Sequence, residues 1–185
     1  MMNRDMTISQ RVTRAADSCE LEKVLATHNY LHAASRSYEE WTTVWSKRED
    51  TSWAHSFGRM RGFPSIWMGS VVDYDQQCID NYRQIEANYP EVAGMDYRPL
   101  YNNAMHMLTN GVLEVADDGK TARASYLTPG LLYSFLNDDQ KPWGAMLWER
   151  YGMDFVKEED GWKFLHYQVC PEFFDLFDVF NPAEM

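Results

Sequence analysis

The chain has 185 residues, of which 45% are hydrophobic, and a formal net charge of −11. That length buries a core without disulfides or metals. The acidic balance and the absence of any Lys/Arg run leave no electrostatic footprint for nucleic acid and disfavour an anionic membrane surface. The first residues, MMNRDMTISQRVTRAADS, are polar and lack the apolar core of a leader peptide, and no run is long enough for a membrane span, so the expected location is the cytoplasm. The three cysteines, Cys19, Cys78 and Cys170, form no CxxC and read as reduced thiols. Aromatics make up 15%, including seven Trp and eleven Tyr. They suit either an aromatic core or a pocket for a flat, greasy ligand.

In chain order, residues 1–17 read as a loose or partly helical arm. Ser18 is an N-cap candidate, and Leu21, Val24, Leu25, His28, Leu31 and His32 follow at helical spacing. A short second helix runs through Tyr38, Glu39, Trp41 and Trp45, and TSWAHSFG reads as a strand ending at Gly58. Pro64 and Ser65 open a further helix that Ile66, Val72, Ile79, Tyr82 and Ile85 carry to Tyr89, before Pro90. From residue 103 the period changes from helical to alternating. Residues 103–116 read as a strand, Asp117-Asp118-Gly119-Lys120 as a hairpin turn, and TARASYLTPGLLYSFL as the return strand, bent at Pro129-Gly130. WGAMLWERYGMDFVKE reads as a third strand interrupted by Gly152. Glu159-Asp160-Gly161 is the next turn, and WKFLHYQVCP the last strand, stopped by Pro171. The Phe-rich tail EFFDLFDVFNPAEM, with Phe173, Phe174, Phe177 and Phe180, is expected over an open edge or at a homodimer interface. Helices followed by antiparallel strands predict an α+β fold, a curved antiparallel sheet wrapped around the N-terminal helices. The expected division is an arm (1–17), one domain (18–171) and a C-terminal extension (172–185).

The segment HMLTNGVLEVADDGKTARASY, with His106, Asn110, Gly119, Thr121 and Ala122, resembles the strand pair of SnoaL-like proteins. RYGMDFVKEEDGWKFLHY, with Arg150, Tyr151, Gly161, Trp162 and Lys163, resembles their closing hairpin. The resemblance spans about residues 18–170. It implies the cystatin-like cone fold that also holds scytalone and bile-acid dehydratases, ketosteroid isomerases, polyketide cyclases and the small subunits of ring-hydroxylating dioxygenases. It further implies a pocket for a small aromatic or polycyclic molecule. The dehydratases of that family carry a Tyr and an Asp five residues apart on the first helix, facing a pocket His. Here the matching positions hold His32 and Ser37 in one register and Tyr30 and Ser35 in another, so the Asp is missing.

His106, at the start of a cavity-facing strand, is the first candidate for a general base. The alternative is a buried imidazole bonded to a backbone carbonyl or to Asn110. His28 and His32, four apart, share the apolar face of the first helix, and His32 is the second acid–base candidate. No HExxH or third ligand accompanies them, so no metal is expected. His28, His55, Trp53, Tyr30, Asn110, Tyr126, Trp148 and Tyr151 are candidate wall residues. Asp50 and Asp73 are candidate carboxylate partners for a histidine. With no GxSxG, Walker or GxGxxG motif, no nucleotide, flavin or other cofactor is expected. The function expected is a cofactor-free lyase or isomerase, dehydratase- or cyclase-like, acting by His acid–base chemistry. The alternative is a non-catalytic ligand-binding or accessory subunit.

Overall fold

A computed structural model describes residues 6–33, 36–55, 58–62, 83, 87, 90, 103–134 and 143–178. The helix expected over 65–89 therefore falls outside the described residues except at Arg83 and Ala87, both helical. Among the described residues there are two helices of any length, α1 (Ile8–Ala33) and α2 (Ser37–Val44). The strands are β1 (Ser52–His55), β2 (Gly58–Arg61), β3 (Asn103–His106), β4 (Thr109–Val115), β5 (Thr121–Ser134), β6 (Trp143–Glu158) and β7 (Gly161–Asp178). They form one open sheet in the order β2-β1-β7-β6-β5-β3, with β4 on the other half of β5. Among the described strands the pairings are antiparallel except β1 with β7, so the sheet is mixed. The α+β expectation holds. No described helix is long and apolar enough to cross a membrane.

The first helix begins ten residues before its expected cap. Thr7 Oγ1 accepts from the Gln10 backbone N–H at 3.2 Å, and the Thr7 N–H donates to Gln10 Oε1 at 2.9 Å. This Thr-x-x-Gln capping box satisfies two donors at the helix start. Ser18 lies inside the helix, its hydroxyl turned back to the Arg14 carbonyl at 2.9 Å. The buried face runs Asp17, Leu21, Leu25, His28 and Leu31, one stripe at helical spacing.

Asp17 is the charged end of that stripe. Lys157 Nζ and Trp162 Nε1 both bind its Oδ1, tying α1 to the β6–β7 hairpin. Burial pushes the Asp17 carboxyl up, but the bonds from Lys157 and Trp162 and the lysine's charge outweigh it and leave the pKa below its ordinary 3.8. A lowered carboxyl pKa contributes stability above the unfolded value, and that contribution disappears as pH falls through the folded one. Asp17→Asn should therefore lower the unfolding free energy read from urea titration at neutral pH, by roughly 1–3 kcal/mol for a hydrogen bond to a charged group, at the low end because Lys157 reaches solvent. The gap from wild type should close below about pH 4. A gap that stays constant through that range would show that Asp17 does not titrate with unfolding.

The two hairpins form where the Asp-Gly pairs stand. Gly119 (φ +64°) and Gly161 (φ +119°) supply the positive φ that other residues resist. Four strand boundaries differ from the expectation. The strand over 103–116 breaks at Met107-Leu108 into β3 and β4, opposite Pro129, whose lack of an N–H suits an interrupted ladder. Strand β6 runs unbroken through Gly152, which pairs with Ser125 and Gln168. Strand β7 runs on through Pro171 to Asp178, because a bulge accommodates the proline: Glu149 pairs with Pro171 and Trp148 with Phe173. Phe173, Phe174 and Phe177 thus lie on β7, while Phe180 lies outside the described residues. TSWAHSFG also divides, its end starting β2, which pairs back on β1.

The core gathers Leu21, Leu25, Trp41, Val44, Trp45, Phe155, Trp162 and Phe164 between the helices and the sheet. Trp41 stacks on Trp45 with centroids 4.2 Å apart, and Phe164 packs against Trp45, Phe155 and Tyr167. Much of the aromatic content is therefore packing. Cys19 and Cys170 are free thiols. Cys78 lies outside the described residues.

Candidate active site

A buried carboxylate and a half-buried one, each against histidine, lie between α1, α2 and the sheet. The first is Glu40 on α2, only 2% exposed. His28 Nδ1 lies 2.8 Å from its Oε1, Trp45 Nε1 donates to the same oxygen at 3.4 Å, and His32 Nδ1 is 3.4 Å from Oε2. Burial alone would raise the Glu40 pKa, but the two imidazoles outweigh it and hold the carboxyl far below its usual range. Glu40 is thus a buried anion, and an anion only accepts, so His28 Nδ1 is the donor of that bond. His28 Nε2 faces the Tyr167 hydroxyl at 3.2 Å. For His32, burial lowers the pKa, while the hydrogen bond and charge of Glu40, helped by Glu149, raise it by more. The net effect favours the imidazolium.

The second carboxylate is Glu149 on β6. The Tyr151 hydroxyl donates to its Oε2 at 2.8 Å, and His106 Nδ1 lies 2.8 Å from that hydroxyl and 3.3 Å from the carboxylate. With Tyr151 giving its single proton to Glu149, its oxygen accepts from His106 Nδ1–H, which leaves the lone pair on Nε2. The end of β3 is pinned to α1 where Asn29 Nδ2 donates to the His106 carbonyl at 3.0 Å. Burial, with the charges of His32 and His28, lowers the His106 pKa despite Glu149, so the ring is neutral near pH 7. Burial and the Glu149 charge push Tyr151 well above the usual phenol range, so it stays a donor.

The clusters touch. The His32 and His106 rings are 5.6 Å apart, and those of Tyr151 and Tyr167 are 5.2 Å apart. The site therefore sets an imidazole biased to charge beside one biased to neutrality. Neighbouring groups pushed in opposite directions have the properties that proton transfer requires of an acid and a base.

Of the sequence candidates, His28, His32, His106 and Tyr151 converge here. Others are placed elsewhere. Tyr30 is 68% exposed on the outer side of α1. Trp148 is 43% exposed, because Leu147, Glu149 and Tyr151 take the inward positions of β6. Trp53 packs edge-on against Trp41. The Tyr126 ring lies against Gly111, where any Cβ would overlap it. Asn110 is exposed with φ +48°, at the bulge of β4. His55 is on β1, its side chain outside the described residues, as is Asp73. Asp50 pairs with Arg48 on the surface, so the carboxylates facing His28, His32 and His106 are Glu40 and Glu149 instead. Both had a readable signal. Glu149 alternates with Leu147, Tyr151, Met153 and Phe155, and Glu40 lies beside Trp41 and one turn before Val44. Tyr167 was hidden by the register shift between Asp154 and Phe155. Among the described residues no three His, Cys, Asp or Glu side chains are arranged to hold a metal.

The family model of the SnoaL-like domain matches residues 13–168. No protein of curated function matches the sequence. A candidate scytalone dehydratase from Novosphingobium aromaticivorans superposes with a TM-score of 0.62 at 12% identity, over 92% of this chain and 93% of that one. A candidate dehydratase of the NTF2-like family from Streptomyces avermitilis gives 0.63 at 14%, over 86% and 98%. The hexachlorocyclohexane dehydrochlorinase LinA-type3 of Novosphingobium barchaimii LL02 gives 0.57 at 14%, over 93% and 99%. At these identities the likeness is one of fold.

Proposed function

The chain belongs to the SnoaL-like family, and on that premise we propose that it is a cofactor-free lyase or isomerase acting on a small aromatic or polycyclic molecule by histidine acid–base chemistry. The observation that carries this reading is the pairing of His106 and His32, 5.6 Å apart and driven to opposite protonation preferences by their surroundings. His106 takes a proton from carbon on Nε2, because Nδ1 is committed to Tyr151 and Glu149. Glu149 steadies the imidazolium that forms, and Tyr151 fixes its ring. The electron pair left on carbon moves towards a neighbouring carbonyl. His32 then supplies a proton, to a leaving group in a lyase or to another carbon in an isomerase.

Proton abstraction can be read without the native substrate. Incubation of the protein with α-tetralone in D₂O should exchange the hydrogens next to the carbonyl, followed by NMR, and His106→Ala should abolish the catalysed exchange. A protein that binds aryl ketones yet exchanges none of their hydrogens would be the ligand-binding or accessory subunit instead.

The same pair sets a pH profile. A base with a lowered pKa gives a rising limb below the ordinary histidine value of 6.5, as His106 loses its proton. An acid with a raised pKa gives a falling limb above 6.5, as His32 loses its proton. The rate should pass through a plateau around neutrality. A profile with no falling limb would remove His32 from the acid role.

A further inference from the structure

We infer that Glu40 is the positioning carboxylate of the site, supplied by the second helix in place of the Asp absent from the first, and that it serves an oxygen leaving group. This rests on the acid–base reading above and names the substrate class that reading leaves open. The argument begins with cost. A carboxylate buried to 2% on a short helix is expensive unless every lone pair is used. Glu40 uses Oε1 for His28 and Trp45, and Oε2 for His32. The His28 side chain is itself buried and braced on its far side by Tyr167. One oxygen is thus held in a fixed frame, and the other is presented to His32, whose side chain is 32% exposed and which stands against His106.

Among the described residues, the remaining titratable groups turned towards this pair are His106 from β3, Glu149 and Tyr151 from β6, and Tyr167 from β7. Of these, only Glu149 carries a negative charge, and it is engaged by Tyr151 and His106. Glu40 is therefore the described carboxylate that meets His32 directly, at 3.4 Å. A held imidazolium helps a leaving group in proportion to that group's basicity. Chloride departs as an ion and gains little from a proton, whereas hydroxide leaves only as water. The balanced step is the loss of water from a β-hydroxy carbonyl compound. His106 takes the α-proton, the carbon–carbon double bond forms, the Cβ–O bond breaks, and His32 gives its proton to the departing oxygen. Solvent exchange then takes the proton from His106 and restores the one on His32.

The test titrates the imidazoles by NMR in wild type and Glu40→Gln, and measures elimination from a matched pair of probes. These are the aldol adduct of benzaldehyde and acetone and its β-chloro counterpart, corrected for their spontaneous rates. In wild type His32 should keep its proton to higher pH than His106. Glu40→Gln should lower the His32 titration and cut the hydroxy-to-chloro rate ratio by roughly 10²-fold. Glu40→Asp, which keeps the charge, should recover part of both. An equal loss on both probes, or a His32 titration that Glu40→Gln leaves in place, would overturn the proposal. So would a wild-type His32 that titrates at or below His106, an outcome that decides the matter even where Glu40→Gln does not fold or neither probe is turned over. Failure of the acid–base reading looks different: no carbon–hydrogen exchange at all, with the order of the two titrations intact.

Discussion

His106→Ala should lower turnover by about 10²–10⁴-fold, the range for losing a positioned general base, while leaving the protein folded. The geometry explains both halves. The ring has its Nδ1 tied to Tyr151 and Glu149, so in the proposed mechanism Nε2 takes the proton and removing the ring deletes that acceptor. It does not orphan its neighbours, because the Tyr151 hydroxyl still donates to Glu149 at 2.8 Å. The stability cost should therefore stay near that of one hydrogen bond, about 1 kcal/mol. Turnover and melting temperature measured on the same preparation separate the roles. A variant that melts much earlier but works at full rate would make His106 a structural residue.

Phe164→Ala should be the most destabilising of the changes considered. Phe164 is 0% exposed and packs against His28, Trp45, Phe155 and Tyr167, so it joins the helices to β7. Its backbone also holds the chain after α2, since the Ser46 N–H donates to the Phe164 carbonyl at 2.9 Å. Truncating a buried Phe costs about 3–5 kcal/mol through lost transfer energy and the cavity left behind. For a chain of this size that is a fall of roughly 6–20 °C in melting temperature. Because the ring supports His28 and Tyr167, activity should also fall below the new midpoint. A drop of only a degree or two would mean that α1 and α2 are held to the sheet by other contacts.

The local periodicities are legible in the order of the residues. Asp-Gly pairs need positive φ, so Gly119 and Gly161 announce their hairpins. His28 and His32 share a face with Leu21 and Leu25 because a helix repeats nearly every fourth residue. Thr7 and Gln10 also announce the true start of α1, although Ser18 offers a rival cap that only the completed helix rejects. Strand ends are harder to read. Gly152 and Pro171 interrupt a strand taken alone, but two paired neighbours carry β6 through the glycine and a bulge carries β7 past the proline.

The chemistry of the site was decided in three dimensions. The chain has 28 acidic residues, and a carboxylate on the surface is written with the same letter as one that holds a histidine. The apolar neighbours of Glu40 and Glu149 hint at inward positions, but that each carboxylate meets a histidine there is decided by how α2 and β6 pack. Tyr167 depends on a register shift that no periodicity encodes. Composition and spacing thus determined which histidines lie on a common face. The packing of two helices on a bent sheet decided which one meets a charge that keeps its proton and which one is left neutral, because pKa shifts arise from desolvation and from charges a few ångströms away, and both exist only once the chain has folded.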